Sequence, residues 1–116
     1  MLKTFVVYML ASKPNGSLYV GVTSNLPARL WHHRHHVIPG FTDRYDITRL
    51  VWYEVHASAE AAILREKRLK DWRRGWKVRL LRKANPDWND LAPQILAEWG
   101  GGTIEVDEDG FRPSPE

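Results

Sequence analysis

The chain has 116 residues and a mass of 13.5 kDa, which is enough for one hydrophobic core and too little for two independent domains. Hydrophobic residues make up 43% of the chain and charged residues 27%, and no apolar run approaches the roughly 20 residues of a membrane-spanning helix. The sequence contains no cysteine, which excludes disulfides, cysteine-based metal sites and cysteine nucleophiles. We therefore expect one globular domain outside the membrane.

Positive charge is concentrated in residues 1–97, which carry sixteen Lys and Arg against eight Asp and Glu, a net charge of +8. The remaining residues hold six acids and one base and are rich in glycine and proline. We predict a domain over residues 1–99 and a flexible acidic tail over residues 100–116. A positive field on a small domain favours a polyanionic partner, with nucleic acid first and an anionic membrane surface second, whereas a solvated surface without a partner is the alternative.

The first third of the chain predicts a hairpin followed by a helix. Two β-branched and aromatic runs, residues 4–11 and 18–22, flank a turn rich in Pro, Asn and Gly. Ser24 or Asn25 can then cap a helix over residues 26–36.

The rest of the domain predicts a loop, one more strand and mainly helices. Residues 37–47 contain a Pro-Gly pair and are typical of a loop, and residues 50–55 are β-branched and aromatic enough for a third strand. Ser58 can cap the helix that follows. Three helices, separated by Gly75 and by Asn85-Pro86, are predicted over residues 58–73, 76–84 and 87–98.

Glu66 lies within the apolar stripe of the helix predicted over residues 58–73. The members of that stripe, at spacings of three and four, are Ala62, Ile63, Leu69 and Arg73. An unpaired buried charge costs several kcal/mol, roughly, so this carboxylate is expected to pair with a cation or to bind a metal ion. A partly buried salt bridge to an arginine is the alternative without a catalytic role.

Candidate partners for this carboxylate lie on the hairpin and the first helix. Tyr8 and Tyr19 lie on the two paired strands, and Arg29 and His33 lie one helical turn apart. Cross-strand packing would explain the phenols alone. Together, a phenol pair, an arginine, a histidine and an inward carboxylate are groups that could form a metal-assisted site for phosphodiester cleavage.

These residues, in this order and spacing, resemble the GIY-YIG nuclease family. The two motifs stand here as Val6-Val7-Tyr8 and Tyr19-Val20-Gly21, so Val6 replaces the opening glycine of the first and Val20 the isoleucine of the second. The resemblance covers roughly residues 4–96, and Asn85 matches a late polar position of the pattern. The segments 40–42, 50–54 and 85–91 narrow the resemblance to small stand-alone bacterial members, in which the nuclease domain is nearly the whole protein.

The resemblance implies an α+β fold in which helices flank a three-stranded antiparallel sheet. It also implies one divalent ion, Mg²⁺ or Mn²⁺, at Glu66. One of Tyr8 and Tyr19 would help to activate the attacking water, Arg29 would stabilise charge on the phosphate, and His33 would position or shuttle a proton. A carboxylate completed by water and substrate phosphate is a common way for proteins to hold magnesium.

A basic stripe extends from residue 65 to residue 83, with ten Lys and Arg against Glu66 and Asp71. It can neutralise backbone phosphates without reading sequence, and Trp72 and Trp76 within it either stack on unpaired bases or fill the core. We predict six nucleic-acid contacts in it: Arg65, Lys67, Lys70, Arg73, Arg74 and Lys77.

The leading prediction is a cytoplasmic, metal-dependent endonuclease that hydrolyses phosphodiester bonds in nucleic acid, with DNA favoured over RNA and DNA repair as one setting. A second hypothesis is a nucleic-acid-binding module that keeps the nuclease fold but cleaves little or not at all. A third is a structural or protein-interaction domain, in which case we would expect Arg29 or Glu66 to be replaced by a neutral residue. Both charged residues are present.

Overall fold

The computed structural model describes residues 4–35 and 47–99. Most of the predicted loop at 37–47 and the whole predicted tail at 100–116 lie outside the described residues. Within them the elements are β1 (Phe5–Ala11), β2 (Leu18–Thr23), α1 (Leu26–Arg34), β3 (Arg49–His56), α2 (Ala59–Asp71), α3 (Arg74–Ala84) and α4 (Ala92–Trp99). No helix in these two ranges has the length and apolar character needed to cross a membrane.

The three strands form one antiparallel sheet, as predicted, and their order in it is β2-β1-β3. In the central strand, Tyr8 lies opposite Gly21 of β2 on one side and opposite Tyr53 of β3 on the other. The pairing of β1 with β3 shifts between Met9 and Leu10. Because β1 is paired along both edges and covered on both faces, it is the most deeply buried strand.

Alternation along β1 divides the interior into two clusters, one on each face of the sheet. Val7 and Met9 pack on the face covered by α2 and α3, where Leu69 and Leu81 are completely buried. The opposite face holds another set, Val6, Tyr8, Leu10, Leu26, Leu30 and Ile95, which joins the sheet to α1 and α4. Tyr8 is therefore placed on the same side of the sheet as α1.

Side-chain caps fix the starts of two helices. The Asn25 side chain accepts a hydrogen bond from the backbone N–H of Ala28 at 3.2 Å, and Ser58 does the same for Ala61 at 3.2 Å. Each cap satisfies an amide that has no partner within its own helix. The predicted caps are confirmed, with Asn25 in the role that the sequence left open between two residues.

The junction between α2 and α3 differs from the prediction. The chain leaves the helical conformation at Trp72 and Arg73, both with extended backbone angles, and re-enters it at Arg74. Gly75 therefore lies inside α3, so the predicted break at this glycine is wrong. Arg73 is exposed in the junction and does not share the buried face of Glu66.

The last helix begins at Ala92, five residues later than predicted. Asp90 explains this start, because its Oδ1 accepts hydrogen bonds from the backbone N–H of Ala92 at 3.0 Å and of Leu50 at 3.1 Å. Its Oδ2 pairs with the guanidinium of Arg34. The segment before Ala92 is thus held against β3 and α1 by side-chain bonds that a local sequence pattern does not show.

Candidate active site

The centre of the candidate site is a buried contact between Tyr8 of β1 and His33 of α1. The phenol oxygen of Tyr8 lies 3.1 Å from His33 Nε2, and neither side chain has more than 2% of its surface exposed. A neutral imidazole has one nitrogen that accepts and one that donates, so the tautomer with its proton on Nδ1 accepts the hydroxyl proton of Tyr8. The contact joins a phenol to a proton acceptor away from bulk water.

Tyr19 completes a cluster of three rings. Its ring centroid lies 6.3 Å from that of Tyr8 and 5.5 Å from that of His33, with the imidazole edge-on at 63°. These distances lie within the range in which aromatic rings attract each other through their quadrupoles. The two tyrosines and the histidine that the sequence singled out are therefore in mutual contact.

Gly21 leaves the space in which the Tyr8 hydroxyl lies. A Cβ placed on Gly21 would come within 2.5 Å of both Cζ and the hydroxyl oxygen of Tyr8, and within 3.0 Å of Tyr19 Cε2. Real Cβ atoms do not approach other heavy atoms this closely. The absence of a side chain at this position of β2 is thus a condition for the tyrosine pair to adopt its observed geometry.

The electrostatic environment keeps His33 neutral. Burial, the nearby charge of Arg29 and that of His32 together lower the pKa of His33 from 6.5 to about 3, with burial as the largest cause. Arg29 lies one turn before His33 on α1 and is itself 97% buried, with 3% of its surface exposed. The guanidinium therefore places positive charge close to the imidazole of His33.

Glu66 of α2 faces inward as predicted, with 1% of its surface exposed. The Nζ of Lys70, one turn later on the same helix, lies 3.1 Å from Glu66 Oε2. This is an ion pair by distance, but its angles do not complete a hydrogen bond, and Oε2 has no hydrogen-bond partner within the described residues. The same ammonium lies 5.8 Å from the centroid of the Tyr19 ring, so Lys70 connects the carboxylate to the ring cluster.

The donor set at Glu66 fits a hard divalent cation held mainly by water and substrate. The described residues contain no group of three or more His, Asp and Glu side chains that could enclose a metal ion. A buried carboxylate oxygen without a hydrogen bond is nevertheless a suitable ligand for Mg²⁺ or Mn²⁺, because magnesium often takes one or two carboxylates and completes its shell with water and phosphate oxygens. Glu66 is the residue that would hold the ion.

The predicted nucleic-acid contacts divide into two groups. Lys67 and Arg73 are exposed, and Lys77 is half-buried. The other three make contacts within the protein: Lys70 with Glu66, Arg65 with Glu54 at 3.0 Å, and Arg74 with the backbone carbonyl oxygens of Asn15 and Gly16 at 3.0 and 2.8 Å. At least three of the six predicted contact residues therefore also make side-chain contacts within the protein.

Asn85 has a structural function at the end of α3. Its side-chain N–H groups donate to the carbonyl oxygens of Val51 and Asn89 at 3.0 and 2.9 Å, and its Oδ1 accepts from the N–H of Asn89 at 3.0 Å. It is 5% exposed and caps the helix. Its amide thus fixes the turn that follows α3 against β3.

Sequence reasoning assigned Lys70 only to the nucleic-acid surface and gave Gly21 no role beyond its motif. The spacing of four between Glu66 and Lys70 is the signal that could have indicated an ion pair on one helical face. The signal for Gly21 is weaker, because its closeness to Tyr8 depends on the register between β1 and β2.

Comparison with known proteins adds one finding to this geometry. The family described as the GIY-YIG catalytic domain matches residues 4–79, which include Tyr8, Tyr19, Arg29, His33 and Glu66. Comparisons with curated proteins and with solved structures gave no significant match.

Proposed function

Because the chain belongs to the GIY-YIG catalytic domain family, whose members are nuclease-type phosphodiester hydrolases, we propose that it is a divalent-metal-dependent endonuclease acting on DNA. The observation that carries the proposal is the buried hydrogen bond between Tyr8 and His33, with the inward Glu66 connected to the same rings through Lys70. The proposal includes a cytoplasmic location and a DNA-processing role such as repair.

Tyr8 is the group best placed to receive the proton of the attacking water. A phenol with a pKa near 10 is a weak base at neutral pH unless its own proton has somewhere to go. His33 Nε2 lies 3.1 Å from the phenol oxygen and is neutral, so it can accept the hydrogen bond of the Tyr8 hydroxyl and hold the phenol oxygen in place. With its pKa lowered to about 3, His33 takes the hydroxyl proton only when substrate binding raises its basicity. Tyr19 packs against both rings and keeps them aligned.

Arg29 links substrate binding to the basicity of His33. Its positive charge is one of the causes that lower the pKa of His33. When a substrate phosphate pairs with the guanidinium, that charge is compensated and the pKa of His33 rises. The same pairing stabilises the negative charge that develops on the phosphate as the oxygen of water bonds to phosphorus and the bond to the leaving oxygen breaks.

Glu66 would hold the divalent ion, and the ion would supply positive charge at the scissile phosphate and at the leaving oxygen. The carboxylate is positioned by α2, whose core-facing Ala62 and Leu69 are completely buried on either side of it. Lys70 offsets the negative charge of Glu66 through the ion pair at 3.1 Å. Its ammonium can turn outward toward a phosphate oxygen when another cation takes its place.

One observation favours the second function, a nucleic-acid-binding module that cleaves little. Lys70 Nζ lies 3.1 Å from the carboxylate oxygen that a metal ion would use, so the ammonium and the ion compete for Glu66. If the ion pair is stronger than metal binding at cellular concentrations, the basic surface would hold nucleic acid while the site stays without its ion.

Cleavage of labelled single-stranded, duplex and branched DNA and of matching RNA, with Mg²⁺ or Mn²⁺, separates these functions. The variants are Glu66→Gln, which removes a charge with little change of size, and Arg29→Gln, which removes the guanidinium and shortens the side chain. Glu60→Gln is the matched control, because Glu60 is an exposed glutamate in the first turn of the same helix. We expect metal-dependent cleavage by the wild type and by Glu60→Gln, and none by the other two.

Absence of cleavage on every substrate, combined with salt-sensitive binding, would refute the nuclease and support the binding module. Cleavage of RNA alone would refute the choice of DNA. Cleavage that survives Glu66→Gln would remove the proposed metal ligand from the mechanism.

A further inference from the structure

A groove of about 240 Å³ lies beside α3, and a tryptophan forms part of its wall. Its lining residues are Trp72, Trp76, Arg79, Leu80 and Lys83. Trp76 exposes 56% of its surface, the largest exposed fraction among the large hydrophobic side chains of the described ranges. A tryptophan of that exposure loses the burial that usually stabilises it, so it is a candidate for contact with a ligand.

The ring of Trp72 packs against the ring of Trp76. The two rings meet edge to face, with centroids 5.9 Å apart and planes at 84°. One face of Trp72 is covered by the guanidinium of Arg65, which lies 5.4 Å from the ring centroid. Trp72 is therefore fixed by its neighbours, whereas Trp76 projects an indole surface toward solvent.

The groove is strongly positive. α3 contains five Lys and Arg and no acidic residue. Arg79 and Lys83 are exposed and also line an adjoining open groove of about 490 Å³, where Arg82 adds a third cation. The two grooves share these cations, so an extended anionic chain could continue from one into the other. An aromatic surface followed by regularly placed cations is the combination that single-stranded nucleic acid recognises.

The groove and the ring cluster lie on different faces of the sheet. Arg65, which covers Trp72, pairs with Glu54 of β3. Lys70, which pairs with Glu66, reaches Tyr19 of β2. Trp72 and Leu80 of the groove pack against the core cluster on the face covered by α2 and α3, whereas Tyr8 and Tyr19 belong to the cluster on the opposite face. The groove is therefore a separate binding surface.

We propose that this groove binds an unpaired nucleotide of a nucleic-acid strand, with its base stacked on Trp76 and its neighbouring phosphates paired with Arg79 and Lys83. The inference rests on the proposed nuclease function and narrows it, because it makes a strand with unpaired bases the preferred substrate. A paired duplex does not present the face of an internal base to a protein surface, since both faces are covered by neighbouring bases. Stacking tolerates any base, so the groove selects strandedness and not sequence.

Binding measurements without divalent metal test this proposal independently of cleavage. Fluorescence anisotropy is recorded with a labelled oligothymidine strand of about twelve nucleotides, within the usual footprint of a single-strand binding domain, and with a duplex of equal length. The variants are Trp76→Ala and Trp76→Phe. Trp99→Ala is the matched control, because Trp99 is another exposed tryptophan, on α4 and away from the basic helix. Urea unfolding confirms that each variant is folded.

We expect Trp76→Ala to weaken single-strand binding by roughly tenfold, as loss of one stacking contact does, and to change duplex binding little. Trp76→Phe keeps an aromatic face and should recover part of the affinity, whereas Trp99→Ala should bind like the wild type. Equal single-strand affinity of Trp76→Ala and wild type would overturn the proposal. Equal weakening of single-strand and duplex binding would overturn it as well, because it would indicate a surface that senses charge alone.

The acidic tail of the chain is the other occupant that charge would allow. The test uses a synthetic peptide with the sequence of residues 100–116. If this peptide binds the wild type more tightly than the oligonucleotide does, and does not bind Trp76→Ala, the groove belongs to the tail and the proposal is overturned. Binding measured without divalent metal does not depend on turnover. If the wild type cleaves no substrate while its single-strand binding still depends on Trp76, the nuclease is therefore refuted and the groove is supported. If the wild type cleaves DNA while its single-strand binding does not depend on Trp76, the groove is refuted and the nuclease is supported.

Discussion

Replacement of Gly21 by alanine should disable the candidate site through a single methyl group. The added Cβ would lie 2.5 Å from Cζ and the hydroxyl oxygen of Tyr8. Non-bonded carbon atoms pack at about 3.5–4.0 Å, so the gap must open by about 1 Å. Tyr8 is fully buried and directly opposite Gly21 in the sheet, so its ring has little freedom to yield without a shift of the strands.

The displacement would break the hydrogen bond between Tyr8 and His33. The Tyr8 hydroxyl is 3.1 Å from His33 Nε2, and an increase of about 1 Å takes it beyond hydrogen-bond reach. A misplacement of this size at a reacting group can cost about 10²-fold in rate. Overpacking of the core should cost a further 1–3 kcal/mol, roughly, of unfolding free energy.

The assay compares kcat for metal-dependent cleavage with the urea midpoint for Gly21→Ala and Gly75→Ala. Gly75 is the matched control, because a Cβ there meets nothing within 4 Å and lies in a helix, where alanine is favoured by roughly 0.5–1 kcal/mol. In a Tyr8→Phe background, Gly21→Ala should lower kcat no further. A Gly21→Ala enzyme with wild-type kcat and stability, or additive rate losses in the double variant, would refute this reasoning.

Three further predictions concern the ionisable groups of the site. Glu66→Gln should abolish Mn²⁺ binding measured by calorimetry while the protein stays folded, and retained binding would place the ion elsewhere. Lys70→Met leaves the buried carboxylate of Glu66 without its cation, so the unfolding free energy measured without metal should fall by about 1–3 kcal/mol. The same variant should bind Mn²⁺ more tightly than the wild type, because the ammonium no longer competes for Glu66. Weaker Mn²⁺ binding would contradict the competition between the two cations. The pKa of His33 is lowered from 6.5 to about 3, so the unfolded chain binds a proton that the folded protein excludes between these values. The contribution of His33 to the unfolding free energy should therefore be fully present above pH 6.5 and should decline by roughly 3–5 kcal/mol as the pH falls toward 3. The variant His33→Gln should flatten that decline. An unchanged pH profile in His33→Gln would assign the decline to other groups.

Local signals predicted most of the fold. The three strands follow from β-branched and aromatic runs, and the caps at Asn25 and Ser58 follow from the residue types that accept hydrogen bonds from free helix amides. The start of α4 did not follow, because Asp90 uses its carboxylate to bond Leu50, forty residues earlier. The predicted break between the two helices at Gly75 was also wrong. The first helix ends at Trp72, which packs against the core, and not at the glycine, whose helix propensity is lower.

The composition of the site was predictable, but its arrangement was not. Helical spacing placed Glu66 inward, and strand pairing brought Tyr8 and Tyr19 together. The hydrogen bond of Tyr8 with His33 depends on how α1 packs on the sheet, a tertiary contact between residues 25 positions apart. Likewise, Lys70 could be read from the sequence as one more cation of a basic stripe, and its position beside both Glu66 and Tyr19 emerges only in three dimensions.

The same tertiary contacts change how the positive charge of the chain should be interpreted. At least three of the six predicted nucleic-acid contacts pair within the protein, so the charge counted along the sequence overstates the charge available to phosphates. Fewer phosphate contacts give weaker binding and a smaller dependence on salt. A protein with this limited surface gains more from a contact that does not depend on charge, and base stacking is such a contact. The exposed indole of Trp76, placed among the remaining cations of α3, supplies it.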